Sequence, residues 1–295
     1  YQNVDFKAID AEKGVIEIKN KFLFDDLSGC ELYWCQCSDK GVLREGTVDV
    51  KIKPGTKEIV DLELNRITNT ECYLNLALRT KEDNAWSKAG HIIAEEQFVI
   101  NEFENTYDEL EPGEELVVAD TYGSLRIFTE DINIRFERRE RNQLYSVKVG
   151  GEELLAAPVR LNFWRALTDN DRGSRAGSRL GCWRDAGNAP GIYNNTRFSI
   201  EGYKILENGK KVIVTCGATV CTQPESKAIM IYTITSNGIE VDMQFRAGEG
   251  LPEIPEVSML FELPGDFENI TYLGAGPFEN YIDRKCAAQI GLYND

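Results

Sequence analysis

The run TVDVKIKP at 47–54 sets Val48, Val50 and Ile52 on one side of an extended chain and Asp49 and Lys51 on the other. A repeat of two is the mark of a half-buried antiparallel strand, and it rules out a helical reading of that segment. Comparable short runs are GVIEIKN (14–20), ELYWCQC (31–37), EIVDLEL (58–64), CYLNLAL (72–78) and EEQFVIN (95–101), with turn chemistry such as KPGTK between them. About seven short strands in ~100 residues, with turns every 8–12, is the pattern of an immunoglobulin-like sandwich. Trp34 with Cys30 and Cys72 imitates the Cys–Trp–Cys core of antibody domains, but Cys30 stands too close to Trp34 to lie on the preceding strand.

The first sandwich is therefore expected over 1–104. Asn105 to Glu115, NTYDELEPGEE, is acidic and turn-rich and has no apolar period, so 105–117 is expected to be a linker. From 118 to 295 the strand pattern resumes in longer runs: GSLRIFTED (123–131), INIRFERR (132–139), LYSVKVGG (144–151), VRLNFWR (159–165), VIVTCGATVC (212–221), AIMIYTIT (228–235), IEVDMQFRA (239–247) and VSMLFELP (257–264). Asn208-Gly209 and Asn237-Gly238 lie between alternating runs, a strong hairpin signal. No long amphipathic helix stands out. The expected class is all-β, with a second, large antiparallel two-sheet sandwich.

A chain of 295 residues is long enough for two cores. Its 33 Lys+Arg against 49 Asp+Glu leave a net charge of −16, the wrong sign for nucleic acid or an anionic membrane surface. No uncharged apolar run approaches the ~18 residues of a spanning helix. The chain opens on Tyr1 without a basic-then-apolar leader, which reads as a mature or excised piece, and its last residues, QIGLYND, read as a second sandwich cut short. Eight cysteines (Cys30, Cys35, Cys37, Cys72, Cys182, Cys216, Cys221 and Cys286) follow no repeated spacing and are expected as free thiols filling cores. Free-thiol usage leans cytoplasmic. No metal site is expected, because zinc needs four clustered ligands and His91 is the only histidine. His91 also lacks a nucleophile motif, and AWSKAGHIIAEEQF (85–98) reads as a connection packed on the first sandwich.

Two polar stretches stand apart. In RALTDNDRGSRAGSRLGCWRDAG (165–187) an EF-hand register fails at Gly173, Ser174 and Leu180, and an Asx-turn loop with Gly173 and Gly177 at positive φ competes with a ligand-facing loop. Trp164 and Trp183 flank it; indoles can pack a sugar face, but a tryptophan at the end of a strand is more often part of a core. In GAGPFENYIDRK (274–285) a Gly-x-Gly-Pro passage leads into a charged cluster, where Glu279 and Asp283 are expected as structural carboxylates ion-paired near Arg284.

Taken in order, AWSKAGHIIAEEQF, RALTDNDRG and YLGAGPFENYIDRK resemble the C-terminal part of the large β-galactosidases of glycoside hydrolase family 2, over essentially the whole chain. The resemblance implies a second immunoglobulin-like domain followed by a galactose-mutarotase-like terminal sandwich. It implies a parent that hydrolyses β-galactosides with retention and is a homo-oligomer. The two catalytic glutamates and the magnesium and sodium sites would lie mainly in a (β/α)₈ barrel outside this segment, so no catalytic residue and no cofactor is expected here. Asp169, Asn170, Asp171 and Gly173 match a mobile loop near the sugar site, although Leu167 stands where proline is common. Gly276, Pro277, Glu279, Asn280, Tyr281, Asp283 and Arg284 match the GPxENYxDR motif and are expected to be structural. The implied partners are the rest of the chain and a galactoside; a freestanding pair of carbohydrate-binding sandwiches is the alternative.

Overall fold

A computed structural model describes residues 2–67, 70–101, 110–138, 143–186, 196–282 and 284–294. The chain divides into two compact units, 1–106 with 269–295, and 107–268. It is built mostly from antiparallel strands with little helix.

The first unit contains β1 (Val4–Asp10), β2 (Val15–Asn20), β3 (Cys30–Ser38), β4 (Gly41–Asp49), β5 (Lys57–Asp61), β6 (Cys72–Thr80) and β7 (Ile92–Asn101). They form a three-stranded sheet, β1-β2-β5, and a four-stranded sheet, β4-β3-β6-β7, the three-on-four plan of an immunoglobulin-like sandwich. Alternation explains the core: Ile16 and Ile18 face Leu32, Trp34, Leu74, Leu76 and Leu78, all buried. The 47–54 run behaves differently from a single strand. Pairing stops at Asp49, yet Val50 and Ile52 stay buried, and the Ile52 carbonyl accepts from Leu27 N–H (3.1 Å) and Asn20 Nδ2 (3.1 Å) instead of from a ladder neighbour. The facing of the side chains was legible; the loss of ladder partners was not. The 81–91 connection is a second difference, because Trp86 is exposed, with His91 edge-on at 5.3 Å, rather than packed on the sandwich.

The second unit contains β8 (Val117–Asp120), β9 (Ser124–Phe128), β10 (Ile132–Glu137), β11 (Leu144–Val149), β12 (Glu152–Glu153), β13 (Ala157–Asn162), β14 (Arg197–Leu206), β15 (Lys211–Val220), β16 (Ser226–Thr235), β17 (Gly238–Arg246) and β18 (Ser258–Glu262). A five-stranded sheet, β12-β11-β10-β9-β8, and a four-stranded sheet, β14-β15-β16-β17, share one core with the β13–β18 pair. Leu125, Ile127, Ile134 and Phe136 meet Val212, Val214, Met230 and Tyr232 there, and Phe136 stands edge-on to Tyr232 at 5.1 Å. Each such side chain contributes about 1.5–3 kcal/mol on leaving water. Both Asn-Gly pairs sit at hairpins, by different routes. Asn208 (φ 55) and Gly209 (φ 90) supply left-handed backbone, whereas β16 and β17 turn through Ser236 and Asn237, with Thr235 facing Gly238. The acidic stretch straddles the division between units: residues 102–109 lie outside the described ones, and 110–116 dock on the second unit, where Glu114 N–H donates to Ser236 Oγ (2.8 Å) and Leu116 N–H to the Gly209 carbonyl (2.8 Å).

The hairpin β19 (Thr271–Gly276) and β20 (Gln289–Asn294), which the sequence division places in the second sandwich, groups instead with the first unit. Gln97 holds it as a peptide group would: Nε2 donates to the Ile290 carbonyl and Oε1 accepts from Ile290 N–H, both at 2.8 Å. Replacing Gln97 by Ala leaves these half-buried backbone groups unpaired and should cost about 1–3 kcal/mol of hairpin docking. The check is hydrogen exchange at the Ile290 amide, which should quicken in the variant while Leu76 and Leu78 keep their protection.

Candidate functional site

The polar stretch after β13 is ordered by its own side chains. Asn162 fixes the strand's exit by donating Nδ2–H to the Trp164 carbonyl (2.8 Å) and Glu256 Oε1 (3.0 Å). From Thr168 the backbone turns into α1 (Asp169–Gly173), followed by α2 (Ala176–Arg179) and α3 (Gly181–Ala186). Thr168 caps α1: its Oγ1 accepts from Asp171 N–H (3.2 Å) while Asp171 Oδ2 accepts from Thr168 N–H (2.9 Å), a reciprocal capping box. Arg165 completes the lock with Nη1 at 2.6 Å and Nη2 at 3.4 Å from the Asp171 carboxylate. The guanidinium first, then the Thr168 N–H, hold the Asp171 carboxyl down at about 2.

This geometry splits the acid–amide–acid triplet. The Asp171 side chain is 19% exposed and engaged inward, whereas that of Asp169 is 98% exposed and meets the Arg172 guanidinium at 3.1 Å. Asn170 is exposed beside it. Of the three side chains in the motif, those of Asp169 and Asn170 belong to exposed residues and that of Asp171 does not.

One expectation for this stretch fails. Gly173 and Gly177 lie in helical turns and do not take positive φ; the left-handed residue is Arg175 (φ 57), between α1 and α2. The segment is therefore three short helical turns, the first of them capped, rather than an Asx-turn loop, and a Cβ on Gly173 would meet nothing within 4 Å. Of the two readings of Trp183, the structure shows core and not platform. It is fully buried against Phe163 and Phe245, with Nε1–H donating to the Pro252 carbonyl at 3.0 Å, and Ala176, Leu180 and Ala186 join it in the core. Trp164 is half-buried, with the Arg184 guanidinium 6.0 Å from its ring. α1 to α3 are short and rely on this packing, since isolated helices of that length do not persist.

The second stretch lies in the other unit. Gly276 closes β19 opposite Gln289 and precedes a cis bond to Pro277. A Cβ there would come within 2.9 Å of the Tyr293 ring, so only glycine fits. Asn280 Nδ2 donates to the Ala275 carbonyl (3.2 Å), Glu279 pairs with Arg284 (2.6 Å), and Arg284 N–H donates to the Tyr281 carbonyl (2.7 Å). Asp283 lies outside the described residues, so the Glu279–Asp283 separation is not described. Phe278 and Ile282 are exposed on the same loop. Among the described residues no group of three or more His, Cys, Asp or Glu side chains converges, so nothing there matches the oxygen cage of magnesium.

Fold and site together define an all-β protein of the two-sandwich type, with one capped helical insertion in the second sandwich. The family described as "Beta galactosidase small chain" matches residues 129–295, and that described as "Beta-galactosidase, domain 4" matches 16–101. The first match takes in more than half of the chain, which belongs to the β-galactosidase small chain family. Among curated proteins it is similar to β-galactosidases of Priestia megaterium (29% identical), Clostridium acetobutylicum (28%) and Streptococcus thermophilus (28%), in each case over 99% of this chain. It spans 28%, 31% and 27% of their lengths respectively.

Thr168→Ala should cost about 0.5–2 kcal/mol by removing the cap. Gly173→Ala should be neutral or stabilising by up to about 1 kcal/mol, because the position is helical and open. Thermal unfolding of both variants checks the pair, and a strongly destabilised Gly173→Ala would contradict the helical assignment. A depressed folded-state value means that the Asp171 contribution is complete above the unfolded carboxylate value near 4 and disappears as pH falls toward about 2. Asp171→Asn should therefore flatten the acid limb of the stability–pH curve between those values.

Proposed function

We propose that the chain is a non-catalytic C-terminal segment of a retaining β-galactosidase, with one sandwich over 1–104, a linker over 105–117 and a second sandwich from 118 onward, the closing hairpin β19–β20 belonging with the first unit. The observation that carries this reading is the order of the two family matches, domain 4 then small chain, within a chain that spans under a third of its relatives. In the parent, one carboxylate attacks the anomeric carbon and expels the aglycone as a second protonates it; water then releases the sugar with the second group acting as base. Both carboxylates belong to the rest of the parent, and the substrate is a terminal β-D-galactoside. The segment buttresses that remainder and lends α1 to the wall of the sugar site.

Two features support the role. Large apolar side chains stand in water on both units, including Phe24 (89% exposed), Tyr122 (87%) and Ile282 (88%), as expected of surfaces that another part of a protein covers. The outward Asp169 and Asn170 sit on a turn whose own shape is held by Asp171 and Arg165, so they can change partners without unfolding α1. Movement of this turn as sugar binds is part of the proposal.

The test is hydrolysis of a chromogenic aryl β-galactoside by the chain alone and after mixing with the separately produced remainder of the parent. The chain alone should be silent and the mixture active; activity in the chain alone would overturn the reading. In the assembled enzyme, Asp169→Ala should lower kcat/KM about tenfold, equivalent to ~1.4 kcal/mol of transition-state stabilisation, with the unfolding temperature unchanged. An unaltered kcat/KM would remove α1 from the sugar site and leave the buttress role standing.

A further inference from the structure

β3 is buried on both faces along its second half, although only one face belongs to the sandwich core. The other face carries Tyr33, Cys35 and Cys37, which lie on one side because residues two apart on a strand share a face. Both thiols are buried in one small cluster with Tyr73, and the Tyr33 hydroxyl at its edge donates to Glu45 Oε2. Next door on β6, Tyr73 pairs in register with Cys37 and Asn75 with Cys35. Asn75 Nδ2 donates to Cys37 Sγ at 3.4 Å, and its orientation is set by Gln97, whose Nε2 donates to Asn75 Oδ1 at 2.6 Å. Gln97 in turn grips Ile290 of β20, and Ile290 packs over the two cysteines.

Two thiols on one strand face, an N–H donor aimed at one sulfur, an apolar cover and, among the described residues, no third ligand group converging on them make up a particular chemistry. Cys72, the next thiol on β6, belongs to the opposite core and accepts from Gln36 Nε2 at 3.6 Å. Four-coordinate zinc and six-coordinate hard cations lack the donors they need among the described residues. A soft ion content with two sulfurs does not.

We propose that Cys35 and Cys37 are a two-thiolate site for a soft, two-coordinate cation of the monovalent copper class. Binding forms two copper–sulfur bonds, the thiol protons leave to solvent, and copper remains monovalent, so no electron moves. Asn75 is a positioning residue that donates to the bound sulfur, and β19–β20 is the cover over the site.

The probe is Cu(I) buffered by bicinchoninate, titrated anaerobically into the reduced 295-residue chain. One equivalent should be withdrawn from the chelator, with a sulfur-to-copper absorption band and protection of Cys35 and Cys37 from alkylation mapped by mass spectrometry. Cys35→Ser and Cys37→Ser should each weaken capture at least about a hundredfold, and Asn75→Ala about tenfold, ligand loss costing more than loss of an orienting partner. Gln97→Ala should speed loading by freeing the cover. A double Cys221→Ser, Cys286→Ser variant, which removes the exposed thiols, should bind as the parent does. Circular dichroism on every variant separates lost ligation from lost folding. The proposal is overturned if copper is not captured by the folded chain, if capture survives in folded Cys35→Ser or Cys37→Ser, or if it vanishes with the exposed thiols.

Discussion

Each sheet in this chain has an apolar face that must be covered by a second layer, and the rest of the architecture is arranged around that requirement. Helices are too short to supply the layer, so sheets cover sheets. In the first unit Ile16 and Ile18 are opposed by Leu74, Leu76 and Leu78; in the second, Ile134 and Phe136 are opposed by Val214 and Tyr232. Where a layer is incomplete, something else fills it. Trp183 does so in the second unit, dragging α3 into the core and so fixing the far end of the turn that begins at Thr168. The polar segment can therefore be exposed at Asp169 while its two ends are anchored by different forces: the Asn162 amide and Arg165–Asp171 ion pair at one, apolar burial at the other.

Strands were legible wherever one face is dry and the other wet. β2, β6, β15 and β16 could be read directly because alternation runs through most of each strand. β1 has the same alternation in Val4, Phe6 and Ala8, and went unread only because the short apolar side chains are diluted by charge. β14 is different in kind. Its burial alternates between half-buried and exposed and ends fully exposed, the signature of an edge strand, so RFSIEGYKIL carries little apolar pattern to read. The extent of β4 was overread for the opposite reason: Val50 and Ile52 keep the period of a strand after their backbone has left the ladder. Side-chain periodicity reports which face is dry, and hydrogen bonding is a separate matter.

The candidate site was legible in its residue types and not in its geometry. Asp, Asn and Arg between two tryptophans mark a polar segment, but the assignment of positive φ to Gly173 followed from glycine's freedom alone. Glycine permits a left-handed backbone without requiring it. Here the capping box makes α1 helical through Gly173, and the turn between α1 and α2 falls on Arg175, which must bear the unfavourable φ of 57°. The roles of Asp169 and Asp171 were likewise hidden, since the two differ only in the partner that folding brings, and Arg165 reaches Asp171 from outside the motif.

The same logic extends to β3. A strand buried on both faces in an immunoglobulin-like sandwich needs a reason for its second dry face, and here the reason is a hairpin near the other end of the chain, joined through one glutamine side chain 193 residues before the Ile290 it grips. An amide side chain can imitate a ladder bond from any point in the sequence, so no local pattern announces it. Its consequence is chemical as well as structural. By orienting Asn75, Gln97 aims an N–H at Cys37, and by holding Ile290 it withdraws both sulfurs from water. A sheet face that would otherwise be an ordinary wet surface is thereby turned into an enclosed pair of thiols. The CxC spacing was visible in the sequence, but its shelter depends on a partner far down the chain that spacing alone does not reveal.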